Sequence, residues 1–278
     1  MNLMHPLRLA AFAIDQQGGN PAGVVIADHH PTVAEMRQIA ADVGYSETVF
    51  ARADGDGWRV RYFSPESEVP FCGHATIALG AALADRFGDG IFDLTLNAAQ
   101  ITVEGRHSDT HLHAALQSPA TKSKPATEPV TEAALQLFGL TANDLDPRIK
   151  PSLANAGADH LILTLNSRAT LAGMAYPLDT GKKLMRTHGL VTIALVWPAS
   201  DTLFHVRNAF ASGGVLEDPA TGAAAAAFAG MLRDIDWPHG GEITLIQGED
   251  MGAKSMITAQ ISPTPGSSIR ISGGVRYL

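Results

Sequence analysis

The sequence predicts an α+β fold made of two similar halves, each a mostly antiparallel sheet rolled around one central apolar helix. Three observations carry that expectation. The strand-like segments are many and short, and the few helical ones do not alternate strictly with them. Two segments, one after Phe71-Cys72-Gly73-His74-Ala75-Thr76 and one after Glu217-Asp218-Pro219-Ala220-Thr221-Gly222, are apolar on every face for two turns or more, which marks a buried helix. They are rich in Ala and Gly and too short to span a membrane. Third, the surroundings of the two helices echo each other. Arg61 precedes Cys72 by 11 residues, as Arg207 precedes Asp218; Phe63 and Phe210 stand just behind, and an Ala-Thr pair follows each mouth. The mouths are 146 residues apart in a chain of 278. Asn20-Pro21-Ala22-Gly23 before one strand is loosely matched by Asn155-Ala156-Gly157 before another. A duplicated unit accounts for all of these together.

Taken in order, Leu7–Ile14 reads as a strand, Gly18 to Gly23 as a turn cluster, and Val24-Val25-Ile26 as a short strand. The glycines lack the Lys-Ser/Thr of a phosphate loop and lead into a strand, not a helix. Val33, Met36, Ile39, Ala40 and Val43 recur at helical spacing, with Thr32 to cap and Gly44 to end the helix. Glu47 then stands at the start of a strand whose other members are apolar, where a partly buried carboxylate is suited to proton transfer. Asp54 to Gly57 is a hairpin turn, and Trp58, Val60 and Tyr62 share a strand face. The first apolar helix has no polar face until Asp85. Strands follow near Ile91–Leu96, Ile101–Glu104 and Thr110–Leu116. Ser118 to Pro129, rich in Pro, Thr, Ser and Lys, reads as a linker. Beyond it come helices at Thr131–Phe138 and Leu178–His188 and strands near His160–Leu165, Val191–Trp197 and Leu203–Arg207. After the second apolar helix, strands near Glu242–Gln247, Ser255–Ile261, Ser268–Ser272 and Val275–Tyr277 finish the chain.

Composition limits the function. The chain is 45% hydrophobic and 17% charged, with a formal charge of −8. It lacks the basic footprint of a nucleic-acid or anionic-membrane binder. A small anion is still compatible, because a helix N-terminus offers free N–H groups and the positive end of a dipole. Cys72 is the sole cysteine, so no internal disulfide forms and a reducing compartment is expected. Met1 to Ala10 has no apolar core of signal-peptide length and no run reaches a membrane span, so a cytoplasmic location is expected. If the two helix mouths converge on one cleft, Cys72, Gly73, His74, Asp218, Gly222 and Ala223 become site candidates, with a carboxylate held between dipole ends. His107, His111 and His113 look like a metal cluster, but no carboxylate or thiol is evidently arranged with them, and they read as surface strand histidines.

Gly19-Asn20-Pro21-Ala22-Gly23-Val24-Val25, Ser46-Glu47-Thr48-Val49-Phe50, Pro70 to Thr76 and Glu217 to Gly222 resemble, in order and spacing, the PhzF phenazine-biosynthesis family. Gln247-Gly248 and Ser272-Gly273-Gly274-Val275 fit the family ending. The resemblance implies the diaminopimelate epimerase fold, with two barrel-like halves: residues 1–118, joined by 266–278 as a returning strand, and residues 119–265. It implies an isomerase that moves a proton on a small carboxylic acid, as the phenazine enzyme does on a dihydro-hydroxyanthranilate. It also implies no cofactor, no metal, no nucleic-acid or membrane partner, and a homodimer. The family's acid/base glutamate maps onto Glu47, and its histidine and aspartate onto His74 and Asp218. Asn20, Ser46, Cys72, Gly73, Gly222 and Ala223 fall at substrate-binding positions, with backbone near Gly73 and Gly222 holding the substrate carboxylate. The chain departs from the family at Ala223, where Ser is frequent, and at Gly252-Ala253-Lys254-Ser255, where Gly-Arg-Pro-Ser is usual. Cys72 stands where related epimerases keep one of two catalytic thiols, but the other mouth carries Asp218. The alternatives are an amino-acid racemase or epimerase using Cys72, or a small-acid binding protein on a degenerate isomerase scaffold.

Overall fold

The structure, a computed structural model, describes residues 5–108 and 111–278. It divides into two compact units, one holding the chain through Gln117 together with Ser272–Leu278, the other Ser118–Ile271.

The first unit contains β1 (Leu7–Ala13), β2 (Asn20–Ile26), α1 (Val33–Val43), β3 (Thr48–Asp54), β4 (Gly57–Phe63), β5 (Glu68–Val69), α2 (Gly73–Phe87), β6 (Gly90–Thr95), β7 (Gln100–Ser108) and β8 (His111–Gln117). Thr110, the expected start of β8, lies outside the described residues. Neighbouring strands pair antiparallel except β2–β3 and β4–β6, the two pairs whose connections contain α1 and α2. A parallel pair needs such a crossover. α1 forms as the spacing predicts: Thr32 and Glu35 make a capping box, Gly44 closes the helix in the left-handed conformation at φ 73°, and Met36, Ala40 and Val43 are buried. Val33, expected on the same face, is 48% exposed.

The second unit contains β9 (Lys122–Pro125), α3 (Glu128–Phe138), β10 (Ser152–Asn155), β11 (Asp159–Thr164), α4 (Arg168–Ala172), α5 (Leu178–Thr187), β12 (Thr192–Pro198), β13 (Leu203–Ala209), β14 (Glu217–Asp218), α6 (Gly222–Asp234), β15 (Glu242–Gln247), β16 (Ser255–Ile261) and the start of β17 (Ile269–Tyr277). Its pairing repeats that of the first unit. β11–β12 and β13–β15 are parallel, with helices in their connections, while β12–β13 and β15–β16 are antiparallel. β11 and β12 are buried on both faces, since Leu161, Leu163, Ile193 and Leu195 meet Val130, Leu137 and Met185 of α3 and α5. That explains their unbroken apolar runs. The last strand returns: β17 pairs with β1 and β8, so β1, β2, β3, β4, β6, β7, β8 and β17 close an eight-stranded barrel.

The helix at the centre of each unit is buried along its length, α2 from His74 to Ala84 and α6 from Ala224 to Arg233. Small residues let the strands close on α2. A Cβ on Gly105 of β7 would lie 2.0 Å from the Gly80 carbonyl oxygen, and one on Gly80 would lie 2.4 Å from Val103.

Three expectations are corrected. β2 begins at Asn20, and the tight turn lies earlier, at Asp15 and Gln16, both at positive φ and closed by the Ile14–Gln17 backbone bonds of 3.0 and 2.8 Å; Gly18 and Gly19, also at positive φ, lead into the strand. Pro21 is tolerated in the strand because pairing with β3 starts only at Gly23, which leaves its missing N–H without consequence. The presumed linker from Ser118 to Pro129 is ordered structure: β9 pairs with β10, and buried Thr121 accepts a 2.6 Å bond from the buried guanidinium of Arg233 at the end of α6. Finally, Ser268 to Tyr277 forms one strand instead of two. Gly273 and Gly274 do not break it; at Gly274 a side chain would strike the Ala13 carbonyl oxygen at 2.8 Å.

Candidate active site

Glu47 sits immediately ahead of β3, and its carbonyl accepts a 3.1 Å bond from the Gly23 N–H of β2. The two strands approach so closely here that a Cβ on Gly23 would lie 2.5 Å from Thr48 Oγ1. The Glu47 side chain is 16% exposed and its Oε2 lies 3.5 Å from Nε2 of His74, which is 8% exposed. Ser46 Oγ is 3.5 Å from the same nitrogen. Cys72 Sγ is 3.4 Å from Nδ1 of the same ring and 3.9 Å from Nε2. One imidazole therefore touches a carboxylate, a hydroxyl and a thiol. Neutral imidazole has one donor and one acceptor nitrogen, so it can either give a proton to these groups or accept one from them.

The start of α2 sets this geometry. Cys72 is its N-cap residue, with extended backbone (φ −143°, ψ 115°), and makes no side-chain cap bond. The Cys72 carbonyl accepts from the Thr76 N–H at 3.0 Å and from Thr76 Oγ1 at 2.7 Å. Thr76 Oγ1 is in turn 2.7 Å from the hydroxyl of Tyr62. Tyr62 is fully buried, and desolvation pushes its phenol far above the usual range, so it stays neutral and serves as a fixed strut. A helix start without a side-chain cap leaves positive potential and N–H groups for an anion.

The second unit builds a related mouth from different side chains. Asp218, in β14 opposite Asn208, accepts a bond from the Thr221 hydroxyl. Asn208 Nδ2 donates to that hydroxyl at 2.6 Å and Gln247 Nε2 at 3.0 Å. Gln247 also donates to the Asp218 carbonyl at 2.7 Å and accepts from the Thr221 N–H at 3.2 Å. Thr221 holds the cap position of α6 without capping it through its side chain, because its hydroxyl is committed to this network.

The echo between the mouths is real but its register shifts. Arg61 clasps Glu68 through two bonds of 2.8 and 2.7 Å, and Arg207 clasps Glu217 in the same bidentate manner. With the arginines matched, Tyr62 pairs with Val69 where Asn208 pairs with Asp218. Each helix cap follows three residues later, at Cys72 and Thr221. Cys72 therefore corresponds to Thr221, not to Asp218, and His74 corresponds to Ala223. The equal spacing of 11 residues conceals a longer connection in the second unit, which contains a short 3₁₀ turn at Ala211–Gly213.

The structure thus gathers Ser46, Glu47, Cys72 and His74 in the first unit, and Asp218, Gly222 and Ala223 in the second. Asn20 is the buried first residue of β2, opposite Ala11. Sequence reasoning missed Tyr62, Thr76, Asn208 and Thr221, and passed over Gln247 except as part of the family ending. Their signal was available, since each is a polar side chain inside or beside an otherwise apolar run. Glu47, Cys72 and His74 are also residues of metal-ligand type whose donor atoms all lie within 4.8 Å of one another. The strand histidines, read as having no carboxylate arranged with them, do find some: His107 lies 2.7 Å from Asp89 and 3.4 Å from Asp85, while His111 lies 2.8 Å from Gln16.

Known proteins agree with this architecture. An "uncharacterized isomerase" of Deinococcus radiodurans is 31% identical over 233 residues, covering 81% of this chain and 74% of that protein. The Escherichia coli K12 "uncharacterized isomerase YddE" is 29% identical, covering 95% and 92%. The crystal structure of a PhzF-family phenazine biosynthesis protein from Bacillus anthracis superposes with a TM-score of 0.86 at 22% identity, covering 98% and 96%. A probable proline racemase from Agrobacterium radiobacter K84 shares the fold with a TM-score of 0.65 at 12% identity, covering 98% and 90%. The sequence matches the PhzC-PhzF family, described as phenazine biosynthesis-like protein, across residues 9–275. The chain belongs to this family and is one of its isomerases.

Proposed function

We propose that the protein moves a proton between two carbons of a small carboxylic acid without a cofactor, with Glu47 taking the proton from one carbon and returning it to the other. The observation that carries this reading is the Glu47 carboxylate, largely buried and 3.5 Å from His74 Nε2, beside a helix start that lacks a side-chain cap. A single carboxylate suffices for transfer on one face of a substrate. Helix N–H groups stabilise the negative charge that develops on the substrate carboxylate or enol. His74 orients the substrate or relays the proton. The same reading gives Asn20, Ser46, Cys72, Gly73, Gly222 and Ala223 substrate-binding roles and Asp218 the positioning of an amino or hydroxyl group. Ala223 offers no hydroxyl to the substrate. A homodimeric, cytoplasmic protein completes the proposal, and sedimentation of the purified chain tests the dimer.

The test is exchange of substrate C–H protons with deuterated water, followed by NMR across a panel of small unsaturated and amino acids. Glu47→Gln is expected to lower exchange by ~100-fold or more. A folded Glu47→Gln protein that exchanges at the wild-type rate would overturn the assignment. Cys72 Sγ at 3.4 Å from His74 Nδ1 favours a second reading, racemisation with Cys72 as one of two acid/base groups. Cys72→Ala abolishes activity under that reading, whereas under the first it weakens substrate binding and spares the proton transfer itself.

A further inference from the structure

We propose that Glu47, Cys72 and His74 form a zinc-binding site at the start of α2, and that a bound zinc ion switches the enzyme off. The donors are one thiol, one imidazole and one carboxylate, a set that suits Zn²⁺ and not Mg²⁺ or Ca²⁺. Their spacing is close to what the ion requires. Nε2 of His74 lies 3.5 Å from Glu47 Oε2 and 3.9 Å from Cys72 Sγ. Tetrahedral zinc with bonds of about 2.0–2.3 Å places its ligand atoms about 3.5 Å apart; the three donor atoms all lie within 4.8 Å of one another, so side-chain rotations of about 1 Å complete the triangle. The scaffold is stiff. Cys72 and His74 are fixed by the first turn of α2, which Tyr62 and Thr76 brace, and Glu47 is tied by its carbonyl to β2. Three protein ligands leave the fourth position to water or to an anionic ligand.

Cys72 must lose its proton to bind. Zinc binding to the thiolate therefore competes with protons. Zinc then occupies the Glu47 carboxylate. This last consequence rests on the catalytic role proposed for Glu47, whereas metal binding itself does not, so the two can fail separately.

Titration calorimetry of the full chain with Zn²⁺, run at two pH values, tests the site. One saturable zinc per chain is expected, with an apparent affinity that rises with pH. Cys72→Ala and His74→Ala should each bind at least ~100-fold more weakly, and Mg²⁺ should not compete. Absence of saturable binding below ~100 μM, or unchanged affinity in either variant, would overturn the proposal. The wild-type spectrum with Co²⁺ gives a readout independent of variant folding: a thiolate-to-cobalt charge-transfer band supports the site, and its absence at saturating cobalt refutes it. If zinc binds as described but leaves proton exchange intact, the site stands, while the inhibitory switch and the catalytic role of Glu47 fall.

Discussion

Replacing Gly105 by Ala tests how the barrel of the first unit holds its central helix. The new methyl carbon would lie 2.0 Å from the Gly80 carbonyl oxygen, 2.7 Å from its carbonyl carbon and 2.9 Å from Ala84 Cβ. Two of these three obstacles are helix backbone, which no rotamer change can remove, so β7 and α2 must part by about an ångström. Overpacking of a core costs about 1–3 kcal/mol, and a backbone obstacle places this substitution at or above ~3 kcal/mol. Gly80→Ala is the control. Its methyl meets Val103 Cγ2 at 2.4 Å, but a side chain can yield, and Ala regains about 0.5–1 kcal/mol of helix propensity over Gly. A net cost of about 1–2 kcal/mol follows. Urea denaturation followed by circular dichroism orders the two. The loss should reach the active site as well, because α2 carries Cys72 and His74. A displacement near 1 Å between Glu47 and His74 lowers proton exchange by ~10–100-fold. A Gly105→Ala protein within ~0.5 kcal/mol of wild type, or less destabilised than Gly80→Ala, would refute the close-packing argument.

The Arg207–Glu217 pair has side chains 12% and 6% exposed, against 20% and 26% for Arg61–Glu68. Arg207→Ala should therefore cost about 3–5 kcal/mol by stranding a buried carboxylate, and Arg61→Ala about 1 kcal/mol; equal losses in urea melts would count against the comparison. His160 is fully buried in β11, and desolvation lowers its pKa from 6.5 to about 4. Below pH 6.5 the unfolded chain takes up this proton while the folded chain does not until about pH 4. Stability therefore falls with pH across that window, by up to ~3 kcal/mol from this one group. His160→Gln should flatten the profile between pH 6.5 and 4, and an unchanged slope would show that His160 is not the group responsible. NMR exchange assays of Glu47→Gln and calorimetry of Cys72→Ala, set out above, complete the set.

Much of the fold is legible because burial leaves a plain trace in composition. α2 and α6 are apolar on every face, as only a helix enclosed by strands can be. The capping box at Thr32 and Glu35 and the left-handed Gly44 are local features that need nothing from the rest of the chain. β9 was illegible because its polar, Pro-rich residues carry no apolar alternation; the partner strand β10 and the buried Arg233 make it ordered. The start of β2 was hidden by Pro21 and the glycines, whose suitability depends on where β3 begins to pair. Glu47 was findable as a lone acid before an apolar strand, and His74 as a histidine in the first turn of a buried helix. Their mutual distance was not.

The sequence alone determines α1, α2, α3, α5 and α6, the approximate longer strands, the repeat of the unit and the chemical types at each helix mouth, because these follow from short-range preference and from the partition of apolar residues; α4 and the short strands β5, β9, β10 and β14 escape it. Only the tertiary structure decides the rest. It shifts the register of the repeat, so that Thr221 answers Cys72 and Ala223 answers His74. It routes β17 back to β1, a pairing between residues at opposite ends of the chain. It also places a carboxylate, an imidazole and a thiol in one contact, although Glu47 precedes Cys72 by 25 residues. Hydrogen-bond register and side-chain contact over such separations depend on how strands close around a helix, and no local pattern encodes that closure.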